Sequence, residues 1–417
     1  MTVSAPLARK LGTADAVFIG LGSMIGAGVF AAFTPAAQAA GSGLLIGLLV
    51  AAAVAACNAL ASAQLAATYP TSGGTYAYGR AQLGPWWGFL AGWSFVIGKT
   101  ASCAAMALTF ASYVAPAGWE RPVAIAAVAT LAAVNYRGVT RTARLTRVIV
   151  VLVLAVIAAA LVAIGSSSPS VDVGFLQSHL LAEGPYGILQ SAGLLFFAFA
   201  GYARVATMGE EVRDPARTIP RAIIIALIIT VAVYLAIAIA LLVALGPEGI
   251  ASSGTPLRAA VPDGWAWMVP VLSVGAALAS LGALLALIAG IGRTTLAMAR
   301  EDDLPRWLSA VHPRFAVPHR AEVVLAVVVS LVILIADLRG AIGFSSFGVL
   351  LYYLIANLSA FSQGRALYPR ALFVIGAGMC VVLVATLPWT SIAGGVAVVA
   401  VGVGYRALRL RFRKPVA

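Results

Sequence analysis

The sequence predicts an all-α integral membrane protein with about twelve transmembrane helices, and three observations carry that prediction. Hydrophobic residues make up 62% of the chain and charged residues only 10%, against about 25% charged in a soluble domain. The apolar residues fall into runs of membrane length bounded by charge, proline and glycine. Two of those runs, the first and the sixth, are interrupted internally, so helices 1 and 6 are expected to be discontinuous.

Taken in order, the runs lie near 14–39, 43–68, 85–115, 122–136, 145–165 and 186–209. The second set lies near 220–245, 265–298, 321–336, 340–361, 370–387 and 389–405. The first follows Arg9-Lys10 and carries Gly20, Gly22, Gly26 and Gly28 in its interior. A glycine within a helix costs about 1 kcal/mol relative to alanine, so this cluster predicts a break. Unpaired backbone at that depth is tolerated only where it lines a buried cavity. The third run opens at Pro85 and the seventh at Pro220-Arg221, while the fourth is bracketed by Arg121 and Arg137. The sixth contains Phe196-Phe197-Ala198-Phe199-Ala200-Gly201-Tyr202, the partner break. Interrupted segments at matching places in two halves point to the binding site of a secondary transporter.

Because five is odd, helices 1–5 and 6–10 start on opposite sides of the membrane. The chain is thus expected to divide into a tail 1–13, a five-helix repeat 14–165, an inverted five-helix repeat 186–361, two additional helices 370–405 and a basic tail 406–417. The formal charge of +13 is topological. Arg80, Arg137, Arg144, Arg147, Arg213, Arg217, Arg300, Arg306, Arg365, Arg370, Arg406 and Arg409 sit on one set of connections and helix ends, and only Arg121, Arg258 and Arg339 on the other. The positive-inside rule then puts both termini in the cytoplasm. The lipid bilayer is the expected partner and nucleic acid is not. Cys57, Cys103 and Cys380 all fall within apolar runs and read as small buried hydrophobes, not as a disulfide set or metal site. His179, His312 and His319 fall in loops, so neither an intramembrane enzyme site nor a resident metal or cofactor is expected.

Four motifs in order carry a resemblance. They are Gly22-Ser23-Met24-Ile25-Gly26-Ala27-Gly28-Val29-Phe30, Tyr69-Pro70-Thr71-Ser72-Gly73-Gly74-Thr75-Tyr76, the helix 6 motif with Glu210-Glu211-Val212-Arg213-Asp214-Pro215 after it, and Arg293 through Met298-Ala299-Arg300-Glu301-Asp302-Asp303-Leu304-Pro305. Together they resemble the amino acid–polyamine–organocation transporter family. The resemblance implies the inverted-repeat fold and uptake or exchange of amino acids or related amines, while the low lysine and high alanine and arginine usage points to a GC-rich bacterium and hence its cytoplasmic membrane. An amino acid presents a carboxylate and an ammonium, both costly to desolvate. The half-helix starting near Gly26, Ala27 and Gly28, with Met24 beside it, is the expected carboxylate cradle. Carbonyls near Phe197, Ala198 and Ala200 are expected to take the ammonium, and Phe197, Phe199 and Tyr202 to wall the side-chain pocket. Where relatives carry a hydroxyl the chain has Ala27, and where many carry an acid it has Ala203 followed by Arg204.

Lys99 lies about fourteen residues into the third helix, near the membrane midplane at about 1.5 Å per residue. An ionisable group there is a functional-site hypothesis. Proton-coupled relatives use a lysine in helix 5, at a position that is Val153 here, and sodium-coupled ones a hydroxyl pair in helix 8, here Leu281 and Gly282 beside Ser280. Lys99 and Ser280 are therefore the coupling candidates, with a proton favoured over sodium. The spans hold only Asp15 and Glu322 as acids, both at helix starts. With no carboxylate to meet a second substrate cation, neutral amino acids are expected over Lys, Arg or polyamines. The competing readings are an exporter or antiporter on the same fold and, more remotely, a channel or receptor.

Overall fold

The computed structural model describes residues 11–69, 73–138, 143–166, 174, 178–209, 211–364 and 367–412. Of the motif residues above, Pro70 to Ser72 and Glu210 lie outside the described residues, as do Arg365, residues 1–10 and residues 413–417. The described chain is helical, and its one β feature is an isolated parallel bridge between Leu11 and Val212.

The first span is α1 (Thr13–Met24), α2 (Ala27–Ala31) and α3 (Phe33–Ala40). Next come α4 (Leu44–Thr68), a short connecting helix α5 (Gly74–Leu83), α6 (Pro85–Val114), α7 (Glu120–Tyr136) and α8 (Ala143–Gly165). The sixth span is α9 (Gly184–Phe199), a 3₁₀ turn Ala200–Tyr202 and α10 (Ala203–Ala206). The remainder is α11 (Pro215–Ser252), α12 (Met268–Arg300), α13 (His319–Ile335), α14 (Leu338–Phe361), α15 (Arg370–Thr386) and α16 (Trp389–Phe412). Among the described residues, nine helical stretches are long and apolar enough to cross a membrane. The 17-residue helices α7, α13 and α15 bring these to the twelve spans read from the sequence.

The boundaries have local causes. Gly84 takes φ 104°, which lets the chain reverse before Pro85 occupies the first turn of α6, a position where its missing N–H is harmless. Asp337 caps α14 by accepting from the Gly340 N–H at 2.9 Å. In α11 the seventh span turns sharply at Gly246 (φ 67°), directly before Pro247, and this accounts for the sequence-predicted end at residue 245.

The most buried span is α6, with 83% of its most apolar stretch buried, whereas in α16 only 22% is buried. Packing of α6 on α14 is backbone to backbone: a Cβ at Gly348 would stand 2.7 Å from the Gly98 Cα. Small residues of this kind supply the close approach that drives helix association where lipid is as apolar as the helices. A polar cluster joins two further helices to α14, with Asn357 of α14 donating to Asn58 of α4 at 2.6 Å and Cys380 of α15 to the same oxygen at 3.4 Å.

On the face that carries Arg80, Glu301 and Arg409, Asp303 is buried just after α12. Its carboxylate accepts from Tyr76 at 2.9 Å, from Arg80 at 3.2 Å and from Arg406 of α16. Burial and the neighbouring Asp303 carboxylate hold the Tyr76 phenol above its ordinary pKa, so it remains a donor. Arg406 also lies over Phe89 at 4.8 Å and Trp86 at 5.0 Å. The last helix, whose interior has no charge, is thereby pinned at its end to α5, α6 and the segment after α12.

Arg406 is only 6% exposed, and breaking a buried pair by removing one partner costs about 3–5 kcal/mol. Asp303→Asn should therefore lower thermal stability in detergent by that order. The exposed Arg306→Ala serves as a control, and equal shifts for the two variants would refute the role given to Asp303.

Candidate functional site

The first span breaks where its glycines predict. Met24 ends α1, Ile25 (φ −82°, ψ 55°) and Gly26 (φ −103°, ψ −136°) leave the helix, and α2 begins at Ala27. The sixth span is interrupted more gently. Its backbone tightens into the 3₁₀ turn at Ala200 (φ −65°, ψ 1°) without becoming extended.

Glycines bring the two interruptions into contact. A Cβ at Gly201 would stand 2.2 Å from the Ser23 carbonyl oxygen, one at Gly28 2.6 Å from the Ala198 Cα, and one at Gly26 2.9 Å from the Ala283 Cβ of α12. Gly26 and Gly28 thus admit neighbouring helices at close range. As the first residues of a helix, Ala27 and Gly28 have N–H groups without an intrahelical partner. Among the described residues no hydrogen bond from them to another segment is found.

The carbonyls released at the breaks have acquired partners from within the protein. Tyr234 of α11 places its hydroxyl 2.6 Å from the Met24 oxygen and 3.1 Å from the Ala198 oxygen. Lys99 of α6 donates to the Ala200 oxygen at 3.1 Å, and Tyr353 of α14 reaches the same oxygen at 3.5 Å. The Ala200 N–H is taken up by Phe196 and Phe197 carbonyls, and the Ala203 N–H by Gly201. Tyr234 and Tyr353 were not singled out in the sequence. For Tyr234 the available signal was a tyrosine within an otherwise aliphatic run, whose buried hydroxyl must find a partner.

Beside the breaks lies a cavity of about 300 Å³, lined among others by Lys99, Phe197, Ala200, Arg204, Glu211 and Arg293. Of the sequence-predicted site residues, Phe197, Ala200 and Lys99 line it; Met24, Gly26, Ala27, Gly28, Ala198, Phe199, Tyr202 and Ser280 do not. Phe199 turns to Tyr234, ring centroids 5.0 Å apart, and Tyr202 stacks on Tyr353 at 5.0 Å. Both rings, expected as pocket walls, pack into the helix interfaces instead. Ser280 is fully buried, and its hydroxyl has no partner among the described residues. Val153, at the position of the relatives' helix 5 lysine, is buried in the core. A larger cleft of about 840 Å³, with a mainly apolar lining, lies between α6, α13 and α16, away from both breaks.

Toward the basic face the small cavity is flanked by ion pairs. Glu211 stands 3.5 Å from Arg204 and 3.9 Å from Arg293, joining the end of the sixth span to α12. Asp214 and Arg217 are exposed and, among the described residues, pair with each other at 3.9 Å.

Two interrupted membrane helices meeting at a buried cavity define a polytopic membrane protein of the transporter class. The amino acid permease profile matches residues 11–403, and the chain belongs to that family. It is 59% identical over 413 residues to an uncharacterised transporter of Mycobacterium tuberculosis, with 97% of this chain and 92% of the relative covered. It is 26% identical to the branched-chain amino acid permease BcaP of Bacillus subtilis, covering 76% of this chain and 72% of that one. The methylthioribose transporter of Bacillus subtilis is similar at 27% identity, over 86% of this chain and 80% of the relative.

Tyr234→Phe removes the single O–H donor that the Met24 and Ala198 carbonyls share. Leaving a buried acceptor unsatisfied costs about 1–3 kcal/mol, so this variant should melt lower by that order in detergent. An unchanged melting temperature would show that the hydroxyl does not hold the breaks together.

Proposed function

We propose that the chain is a secondary active transporter that moves small amino acids without a cationic side chain by alternating access. Its expected setting is a cytoplasmic membrane with both termini inside. The observation that carries this reading is the cavity beside the junction of the interrupted first and sixth spans, with ion pairs between it and the basic face. Residues 14–165 and 186–361 act on this reading as inverted repeats that rock about the junction, and Glu211 with Arg204 and Arg293 is the inner gate. The free N–H groups of Ala27 and Gly28 support a carboxylate at the first break, and Phe197 supports an apolar contact on the cargo. Lys99 is the coupling candidate that lines the cavity, which favours proton coupling or obligate exchange over a sodium mechanism built on Ser280. No cofactor is needed. The name of the methylthioribose relative supports a second reading, in which a related fold carries a solute other than an amino acid.

Counterflow in proteoliposomes tests the proposal without requiring knowledge of the coupling ion. Liposomes preloaded with one unlabelled compound should accumulate its labelled form for some non-cationic amino acids, and arginine, lysine and polyamines should give none. Exchange of the cationic compounds alone would overturn the substrate assignment. Silence for amino acids together with exchange of a sulfur-containing sugar would favour the second reading.

A further inference from the structure

Among the described residues Lys99 has no counter-charge. It is 5% exposed, it lines the cavity, and among the described residues its ammonium makes one hydrogen bond, to the neutral Ala200 carbonyl. An ammonium has three donors, so two remain for whatever enters. A buried charge is strongly unfavourable unless paired, and in a membrane interior such a group marks a functional contact. The other charges that line the cavity sharpen the point. Arg204, Arg293 and Arg300 face a single described carboxylate, Glu211, which Arg204 and Arg293 already share. Arg293 and Arg300 are exposed and can be screened by solvent; Lys99 cannot.

The opposite half of a zwitterion is poorly served. The carbonyl oxygens that the breaks release at Met24, Ala198 and Ala200 accept from Tyr234 and Lys99. A cargo ammonium would have to share these oxygens with the donors already there, and at Ala200 a second cation would then sit beside Lys99. The Lys99 ammonium occupies the position at the sixth-span break that a substrate cation would otherwise take.

We propose that Lys99 is the docking point for a carboxylate of the cargo, and that the transported class carries net negative charge, which among amino acids means the dicarboxylic ones. The proposal rests on the transporter reading above and deepens it. The cargo carboxylate supplies the missing counter-ion, so the deepest cation in the cavity is neutralised when the site is filled. A second carboxylate, at the Ala27 and Gly28 N–H groups of the first break, offsets the cargo's own ammonium. Charge-assisted hydrogen bonds of this kind are short and directional, and a desolvated site strengthens them.

The test compares isosteres that differ in charge. Wild-type protein in liposomes is assayed for counterflow of glutamate against glutamine and of aspartate against asparagine, and the same compounds are scored in detergent for the rise they cause in melting temperature. The dicarboxylates should exchange and stabilise in preference to their amides. Lys99→Met should raise the KM for the dicarboxylate by roughly 30-fold or more, the loss expected when one partner of a buried charge pair is removed. Lys99→Arg should retain most of the exchange. The wild-type comparison stands even if Lys99→Met fails to fold. Exchange of glutamine and asparagine equal to or above that of the acids, or a KM unmoved in a folded Lys99→Met, would overturn the anionic assignment while leaving transport intact. Absence of exchange and of stabilisation by every amino acid tested would overturn this proposal together with the reading it rests on.

Discussion

The constraint on which the structure depends is that backbone polar groups cannot be left unpaired toward lipid, and irregular backbone survives at that depth only inside protein or beside a cavity. Two interrupted helices violate it unless something else supplies donors and acceptors. The Tyr234 hydroxyl supplies a donor between the Met24 and Ala198 carbonyls, and the Lys99 ammonium supplies one to Ala200. Each reaches the breaks from another helix, α11 in one case and α6 in the other. The breaks are therefore held by cross-helix hydrogen bonds whose geometry depends on how α6 and α11 sit against the first and sixth spans. A rigid-body movement of those helices would alter the pairing of the break carbonyls, and this links backbone satisfaction to conformational state.

Glycine has two roles at this junction. At Gly26 it permits the backbone to leave the helix. At Gly28 and Gly201 the decisive fact is steric, because Ala198 and the Ser23 carbonyl occupy the space a side chain would need. Packing and function are thus not rival explanations for these residues. The contact of the two broken spans requires the glycines, and the cavity lies where that contact stops.

The span boundaries were legible because punctuation by Pro85, Gly246 and the arginines is local and its consequence is local. Lys99 was legible as a lone charge in an apolar run. Its partner was not, since the Ala200 carbonyl becomes available only through the 3₁₀ turn and lies about a hundred positions along the chain. The facing of Phe199 and Tyr202 was equally hidden. A span that is apolar on all sides carries no amphipathic stripe, so the sequence does not say which aromatic faces a cavity and which faces a neighbouring helix. Tyr234 was missed for the same reason, since a single hydroxyl in an aliphatic run announces a need for a partner without naming it, and Tyr353 because nothing in the sequence distinguishes it from the adjacent Tyr352.

The arginines on the basic face do more than set topology. Arg406 and Arg409 reach Asp303 and Asp302, Arg80 bridges Glu301 and Asp303, and Arg204 and Arg293 share Glu211. The first two sets clamp the end of α12 to α5 and α16, where burial of Asp303 and Arg406 makes the pairing strong and static. The third spans α12 and the end of the sixth span, where about a third to a half of each arginine is exposed (31% and 54%) and water can replace the carboxylate at little cost. The two kinds of ion pair therefore suit different duties. The buried clamp fixes α12 as a reference, and the half-solvated pairs beside it can open and close against that reference without disturbing the rest of the fold.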